Sequence, residues 1–290
     1  MKDFSGIYAA LLTAFNEDGS INFEATGKLA ERNIEKGLDG MYVAGSSGEA
    51  MMMSEEERVA LLKYVAGVNK GRVTLIAHVG STSTDASVRM AKEAEKLGYD
   101  AVSAVAPYYY SFSGEAIRGY YKDILAATEL PMLIYNFPAS GGFDGMLNLV
   151  SEMIDDPKLM GVKHTSVNLF ELERFKHLKR PLTVFNGFDE MLIGGLAMGA
   201  DGGIGSTYNL LQDDILAIYK AFKAGDLKGA MEVQTKVNRI IEAMLPYGVF
   251  AMEKAILTEL GIPMGNCRKP FLPLSDEGKK AAKEIASKLN

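Results

Sequence analysis

The residue of this chain with the clearest chemical potential is Lys163, which follows the short apolar run Leu159 to Val162. A strand interior rarely accepts an ammonium group unless the group is paired or its pKa is lowered. A lysine with a lowered pKa carries the neutral amine that attacks a carbonyl carbon to form a Schiff base. Reaction near neutral pH requires its pKa to fall from ~10.4 to about 7, which corresponds to roughly 4 to 5 kcal/mol. The sequence therefore predicts an amine nucleophile here, with a surface lysine at a strand end as the alternative.

Tyr135 lies in a second apolar run, Met132 to Asn136, which is typical of a buried strand. Its hydroxyl could face Lys163 from the adjacent strand and relay a proton during Schiff-base chemistry. The alternative is an aromatic residue of the core or its rim. Tyr135 is therefore predicted as the partner of Lys163.

Two serines, Ser46 and Ser47, stand between Gly45 and Gly48 just after another apolar run. Such a string is commonly a tight turn. Glycines also let the backbone come close to a ligand, so that serine hydroxyls and amides can bind a carboxylate. Both interpretations remain open from the sequence.

The pair Asp189 and Glu190 follows the apolar run Thr183 to Asn186. An acidic pair at this kind of position usually stabilises a helix N-terminus through the helix dipole. As binding residues, the two carboxylates could instead accept hydrogen bonds from a polyol.

Composition and charge exclude several classes of function. The net charge of −6 and the sequence pI near 5.3 argue against a nucleic-acid partner, which requires a basic stripe. No apolar run approaches the length of a membrane span. The single cysteine, Cys267, cannot form an intrachain disulfide, and the three histidines lack metal-ligand spacing. We therefore expect a cytoplasmic protein that uses no metal and acts on a small molecule.

Apolar runs alternate with amphipathic helical patterns along most of the chain, as in βα units. The predicted strands are Ile7 to Ala14, Gly40 to Ala44, Val73 to His78, Ala101 to Ala106, Met132 to Asn136, Met160 to His164, Thr183 to Asn186 and Gly202 to Ile204. Eight such units predict a (β/α)8 barrel, with a doubly wound open sheet as the alternative.

Local signals support the division into elements. Gly37, Gly98 and Gly199 each stand where a helix should stop before a strand, as expected of a glycine at the helix C′ position. Ser54 to Glu57 has the form of a capping box. After about residue 226 the strand signal vanishes, which predicts a barrel domain over 1–225 and a C-terminal helical extension over 226–290.

In a (β/α)8 barrel the catalytic groups lie at the carboxyl ends of the strands. All the residues singled out above follow or end predicted strands, so we expect them to meet at one end of the barrel.

These motifs resemble the N-acetylneuraminate lyase and dihydrodipicolinate synthase family of class I aldolases, and the likeness covers nearly the whole chain. It is carried by Gly45-Ser46-Ser47-Gly48-Glu49, Tyr135-Asn136-Phe137-Pro138, Gly161-Val162-Lys163-His164-Thr165-Ser166 and Gly202-Gly203-Ile204-Gly205-Ser206. Within the family the chain is more similar to the N-acetylneuraminate lyase branch, as in Gly205 to Asn209.

The resemblance implies reversible cleavage of N-acetylneuraminate to N-acetylmannosamine and pyruvate, without a cofactor, by a homotetramer. It implies that Lys163 forms the Schiff base, that Tyr135 relays protons with Ser46, and that Tyr109 joins this relay from another subunit. The residues that it implies for substrate binding are Ser46 and Ser47 for the carboxylate and Thr165, Gly187, Asp189, Glu190, Ser206 and Phe250 for the sugar portion.

Other functions stay open. Dihydrodipicolinate synthases carry an arginine where Ser140 stands, and loss of that bidentate group argues against a dicarboxylate product. Phe185 and Phe188 replace tyrosines common among similar lyases, and with the loop 139–142 they bear on sugar selectivity. The alternatives are therefore an aldolase for another 2-keto-3-deoxy sugar acid and a noncatalytic sugar-acid binding protein.

Overall fold

The computed structural model describes residues 2–138, 143 and 145–289, and its centre is a closed barrel of eight parallel strands in chain order. The strands are β1 (Gly6–Ala10), β2 (Gly40–Val43), β3 (Thr74–His78), β4 (Ala101–Val105), β5 (Met132–Asn136), β6 (Leu159–His164), β7 (Thr183–Asn186) and β8 (Gly202–Gly205). The predicted (β/α)8 barrel is confirmed, and the open-sheet alternative is wrong because β1 pairs with β8.

Helices surround the barrel and extend beyond it. They are α1 (Phe23–Glu35), α2 (Glu55–Asn69), α3 (Thr84–Lys96), α4 (Gly114–Ala127), α5 (Met146–Glu152), α6 (Leu169–Lys176), α7 (Leu192–Ala197), α8 (Gln212–Lys223), α9 (Leu227–Met244), α10 (Val249–Glu259) and α11 (Asp276–Leu289). Short 3₁₀ helices cover Ala50–Met52, Asp189–Met191, Thr207–Asn209 and Leu245–Tyr247.

The predicted local signals are present. Ser54 and Glu57 form the capping box at the start of α2, with the Glu57 amide donating to Ser54 Oγ at 3.2 Å. The three helix-stop glycines have φ of 81°, 77° and 98°, a region that glycine enters without steric cost. The chain turns from helix to strand at these points because only glycine adopts this backbone readily.

The barrel is buried on both faces, which explains why its strands are continuous apolar runs. One core fills the barrel interior and includes Tyr8, Tyr42, Leu133 and Phe185. A larger core lies between the strands and the helices. The interior side chains therefore fill the barrel beneath its carboxyl end, where the predicted site residues lie.

The first strand is shorter than predicted. Residues 11–14 are buried as expected, but β1 ends at Ala10 and only the Leu11 amide still bonds to β2, donating to the Tyr42 carbonyl at 3.0 Å. Burial and apolar character extend past the strand here, so hydrophobicity alone overestimated its length.

The C-terminal helices α9, α10 and α11 match the predicted extension, and α9 packs on α8. We propose that 1–225 is the catalytic barrel and 226–290 a helical extension. Among the described residues, no helix combines the length and apolarity that crossing a bilayer requires.

Candidate active site

Lys163 and Tyr135 lie side by side at the end of the barrel. They are register partners on β6 and β5, and Lys163 Nζ is 4.2 Å from the centroid of the Tyr135 ring. The same nitrogen is 4.6 Å from the Tyr42 ring of β2. Lys163 is 5% exposed and Tyr135 is 3% exposed. The predicted pairing of amine and phenol is therefore present in the fold.

Burial makes Lys163 a reactive amine. Desolvation disfavours the ammonium form and lowers the pKa of Lys163 from its ordinary 10.5 to about 7, although the charge of Asp189 opposes the shift. Its Nζ lies over the aromatic faces of Tyr42 and Tyr135, and a cation–π contact stabilises an ammonium far less than water does. A substantial fraction of the side chain is therefore the neutral amine near neutral pH.

This pKa predicts how fast Lys163 forms an adduct. The rate of pyruvate trapping at Lys163 with cyanoborohydride should rise about tenfold from pH 6 to pH 8 and then level off, because the neutral fraction follows a pKa of about 7. Peptide mass spectrometry of timed samples measures this rate. A rate that keeps rising toward pH 10 would show that the pKa of the Lys163 amine is not lowered.

The Tyr135 phenol is held in place by aromatic neighbours. The Phe137 ring stacks on it at 5.7 Å with an interplanar angle of 16°, and the His78 ring meets it edge-on at 6.1 Å. Burial raises the pKa of Tyr135 to about 12, while contacts with the Thr165 and Ser46 hydroxyls oppose that rise. The phenol is therefore protonated at neutral pH and faces two hydroxyls that can exchange protons with it.

Gly187 makes room for Thr165. A Cβ at position 187 would lie 1.9 Å from Thr165 Oγ1, so any larger residue would displace the threonine. The Gly187 amide donates to the His164 carbonyl at 2.9 Å and fixes this approach. Gly187 thus acts on the site through its lack of a side chain.

The serine loop after β2 has a strained backbone. Ala44 and Glu49 at its two ends have φ of 58° and 60°, a left-handed conformation that costs non-glycine residues on the order of 1 to 3 kcal/mol each. Ser46 and Ser47 between them are half-buried. The loop is therefore a tight turn, which was one of the two interpretations. Its serines also lie beside the carboxyl end of the barrel, where the second interpretation, a carboxylate-binding loop, requires them.

His78 anchors one end of this loop. Its Nε2 accepts from the Val105 amide at 3.2 Å, so its Nδ1 carries the proton and donates to the Ala44 carbonyl at 3.1 Å. Burial lowers the pKa of His78 well below its usual value, so the ring is neutral. A neutral imidazole therefore ties β4 to the first residue of the loop.

A buried ion pair anchors the other end. Glu49 pairs with Lys254 of α10, and its second oxygen accepts from the Arg268 amide at 2.7 Å. Arg268 also pairs with Glu57 and donates to the Gly19 carbonyl. The C-terminal extension thus holds the serine loop from outside the barrel.

Breaking this pair should destabilise the protein strongly. Lys254→Met leaves Glu49 buried without its countercharge, and we expect a loss of about 3 to 5 kcal/mol in the free energy of unfolding. Urea denaturation measures the loss. The control is the double variant Glu49→Gln, Lys254→Met, which should recover part of it. A loss below about 1 kcal/mol, typical of exposed pairs, would contradict the assignment.

Asp189 and Glu190 have separate environments. Asp189 is buried, and its Oδ2 accepts from the Thr207 amide at 2.8 Å and from Thr207 Oγ1 at 2.6 Å. Burial raises its pKa to about 6 in spite of these bonds. Glu190 is exposed. Asp189 thus caps the 3₁₀ helix after β8, whereas the side chain of Glu190 is accessible to solvent.

Two predicted residues are less directly connected to the amine. Tyr109 is 87% exposed, on the loop after β4, and has φ of 82°. Phe250 is half-buried on α10, with its ring 6.2 Å from that of Phe271. Within the described chain, neither residue forms a ring contact or a hydrogen bond with Lys163. Ser140 and the rest of the loop 139–142 lie outside the described residues.

The two phenylalanines that depart from the commonest lyase pattern lie in different environments. Phe185 is fully buried in the barrel interior, with its ring 5.2 Å from that of Tyr8. Phe188 is half-buried after β7 and stays available to a ligand. Of the two rings, only that of Phe188 therefore has surface that a ligand could contact.

Sequence reasoning missed Tyr42, His78 and Lys254. Tyr42 and His78 lie on β2 and β3 at positions whose side chains face the barrel interior, a signal that alternation within those strands could have given. Lys254 lies in a helix far along the chain, and nothing in the sequence ties it to Glu49. Within the described ranges no cluster of His, Cys, Asp and Glu could hold a metal ion.

A lysine with a lowered pKa, buried beside a phenol at the strand ends of a closed parallel barrel, is the arrangement expected of a Schiff-base enzyme. The chain belongs to the Dihydrodipicolinate synthetase family, which it matches over residues 3–289. The predicted family membership is confirmed.

One curated relative and two solved structures resemble the chain over nearly its whole length. The chain is 42% identical to an N-acetylneuraminate lyase of Rhizobium meliloti (strain 1021), over 97% of this chain and 94% of that one. It superposes on CdNal from Clostridium difficile in complex with mannosamine with a TM-score of 0.97 and 36% identity, covering 100% of both chains. It superposes on N-acetylneuraminate lyase from Fusobacterium nucleatum complexed with pyruvate with a TM-score of 0.93 and 37% identity, covering 98% and 97%.

Proposed function

We propose that this protein is a class I aldolase that reversibly cleaves N-acetylneuraminate to N-acetylmannosamine and pyruvate. The observation that carries the proposal is the buried Lys163 amine 4.2 Å from the Tyr135 ring, with its pKa lowered to about 7. Relatives named N-acetylneuraminate lyase, at 40% identity and above over nearly the whole chain, support the choice of substrate.

The chemistry begins at the C2 carbonyl of the open-chain sugar acid. The neutral Lys163 amine attacks this carbon, water leaves, and an iminium forms. Tyr135 then accepts the proton of the C4 hydroxyl while its own proton passes to Ser46, and Ser46 in turn releases its hydroxyl proton to water. The C3–C4 bond breaks, its electrons move to the iminium as an enamine, and C4 leaves as the aldehyde of N-acetylmannosamine. Protonation of the enamine at C3 and hydrolysis release pyruvate and restore the amine.

Binding would divide between two sides of the amine. Ser46 and Ser47 would hold the carboxylate of the pyruvate half, because the loop is anchored at both ends by His78 and Glu49. The residues that would contact the hydroxylated half are Thr165, Gly187, Asp189, Glu190, Ser206 and Phe250. Both halves thus lie within one barrel mouth.

We further propose a cytoplasmic homotetramer that needs no cofactor. Tyr109 and Tyr110 are 87% and 68% exposed, and rings this exposed favour a site covered by another subunit. Tyr109 would then reach the relay of a neighbouring subunit rather than its own.

The test combines trapping with substrate choice. Pyruvate and borohydride should add one reduced adduct at Lys163, and cleavage of N-acetylneuraminate should be faster than cleavage of six-carbon 2-keto-3-deoxy sugar acids. The absence of an adduct, or an adduct at another residue, would contradict the proposed Schiff-base mechanism at Lys163. A preference for the six-carbon acids would keep the mechanism and replace the substrate, whereas an adduct without any cleavage would indicate a binding protein.

A further inference from the structure

A buried polar pair lies directly behind the reacting groups. His164 follows the amine Lys163 on β6, and Asn136 follows the phenol on β5. The two residues are register partners, as the amine and the phenol are, and both are buried. Because side chains alternate along a strand, this pair lies on the outer face of the barrel, opposite the amine and the phenol. The His164 ring accordingly meets the Phe175 ring of α6 at 5.7 Å.

The hydrogen bonds of this pair fix which atoms donate. His164 Nε2 is 3.0 Å from the carbonyl of Asn168, the N-cap residue of α6, and a carbonyl only accepts, so Nε2 carries a proton. Asn136 Nδ2 is 3.1 Å from His164 Nδ1 and donates to it, because Glu171 accepts from the same amide at 3.3 Å and so orients its nitrogen to this side. A second proton on Nδ1 would face this donor. The neutral ring therefore joins β5 to the start of α6.

The pairing between β5 and β6 is irregular below this bond. Met132 of β5 pairs with Leu159 of β6. The next residue, Leu133, pairs with Gly161, so Met160 is an extra residue of β6. A slip of one residue turns every following side chain to the other face of a strand, and the amine points into the barrel in one register only. The side-chain bond at the upper end of the two strands therefore constrains the register where the chemistry takes place.

We propose that His164 is a positioning residue, whose bond to Asn136 holds the phenol of β5 at the height of the Lys163 amine. The cleavage step needs the phenol within hydrogen-bond reach of the C4 hydroxyl, and a misplacement of about 1 Å can cost about 10²-fold in rate. Schiff-base formation uses the amine and does not depend on this alignment. The inference rests on the proposed function, and it holds for any 2-keto-3-deoxy sugar acid that the site cleaves.

The test compares two variants of His164. His164→Leu removes both hydrogen bonds, whereas His164→Gln keeps an acceptor and a donor in one carboxamide, as the neutral ring does. His164→Leu should lower kcat for N-acetylneuraminate cleavage about 10- to 100-fold, with KM within about threefold of the wild type, because no substrate contact is lost. His164→Gln should restore kcat to within about threefold of the wild type, and pyruvate trapping at Lys163 should stay within about twofold in both variants.

Asn136→Ala tests the same bond from β5. It should show the same loss of kcat with normal trapping, which keeps the test valid if His164→Leu folds poorly. The double variant of Asn136→Ala and His164→Leu should be no more than about twofold slower than the slower single variant, because the two substitutions remove one interaction.

Asn69→Leu is the control for the loss of a buried polar side chain. Asn69 is 3% exposed at the opposite end of the barrel, where its side chain donates to the Val73 carbonyl at 2.8 Å and accepts from the Val73 amide at 3.1 Å. This variant should lose stability in urea denaturation and keep kcat within about twofold of the wild type.

Three results would overturn the proposal: a wild-type kcat in His164→Leu and Asn136→Ala, a loss of kcat that His164→Gln does not restore, or a loss of trapping as large as the loss of kcat. If the wild type cleaves six-carbon acids in place of N-acetylneuraminate, the proposed substrate has failed. The variants are then compared on those acids, so the two failures are told apart.

Discussion

Lys163→Met abolishes both the pyruvate adduct and turnover, with kcat expected to fall by at least about 10⁴-fold. Methionine keeps the bulk of the side chain but lacks the amine that forms the carbon–nitrogen bond. No other lysine in the described chain lies over the rings of Tyr135 and Tyr42. The measurements are steady-state cleavage and mass spectrometry of the borohydride-treated protein.

The matched control is Lys158→Met, at the residue that directly precedes the opposite end of the same strand. Lys158 Nζ donates to the Thr128 carbonyl at 2.8 Å, away from the site. We expect this variant to lose some stability and to retain the adduct. Turnover in Lys163→Met above a hundredth of the wild-type rate would mean that another group is the nucleophile.

Stability should change in the opposite direction to activity. The pKa of Lys163 is lowered from 10.5 to about 7 in the folded protein, so between these values the unfolded chain binds more protons and wild-type stability rises with pH. Below pH 7 the cost of burying this amine is fully present, on the order of a few kcal/mol. Lys163→Met removes that cost, so the variant should be more stable than the wild type at pH 6, with the difference shrinking toward pH 10.

Tyr135→Phe separates carbon–nitrogen chemistry from carbon–carbon cleavage. The ring keeps its contacts with Lys163, Phe137 and His78, but the hydroxyl that faces Thr165 and Ser46 is lost. Loss of a positioned proton carrier costs typically about 10² to 10⁴-fold in rate. We expect kcat for N-acetylneuraminate cleavage to fall by that range, while the pyruvate adduct at Lys163 still forms.

Tyr121→Phe is the control for the loss of a buried hydroxyl. Tyr121 is fully buried in the outer core, and its hydroxyl has no partner among the described residues. Its removal should leave kcat within about twofold of the wild type. If Tyr135→Phe is equally silent, the relay must run through another group.

The fold was predictable because its signals are local. Apolar runs such as Met132 to Asn136 and stop glycines such as Gly98 define strands and helix ends without knowledge of the partners. Chain order then fixes the barrel, since each strand pairs with its neighbour in sequence. The length of β1 was overestimated because residues 11–14 are buried without being in the strand.

The sequence by itself was enough to single out the proposed nucleophile. Lys163 ends an apolar run, and a lysine in such a place must lose its charge or find a partner, which is a statement about local burial. The same reasoning gave Tyr135 and the serine loop, because parallel strands bring their carboxyl ends together.

Only the tertiary structure decided how these groups are held and tuned. Glu49 pairs with Lys254 across 205 positions of the chain. Sequence carries no local signal for such contacts, because a charge in a helix is ordinarily solvated and becomes costly only when packing removes its water. Packing therefore determined that Glu49 is paired and that the Lys163 amine lies between the rings of Tyr42 and Tyr135.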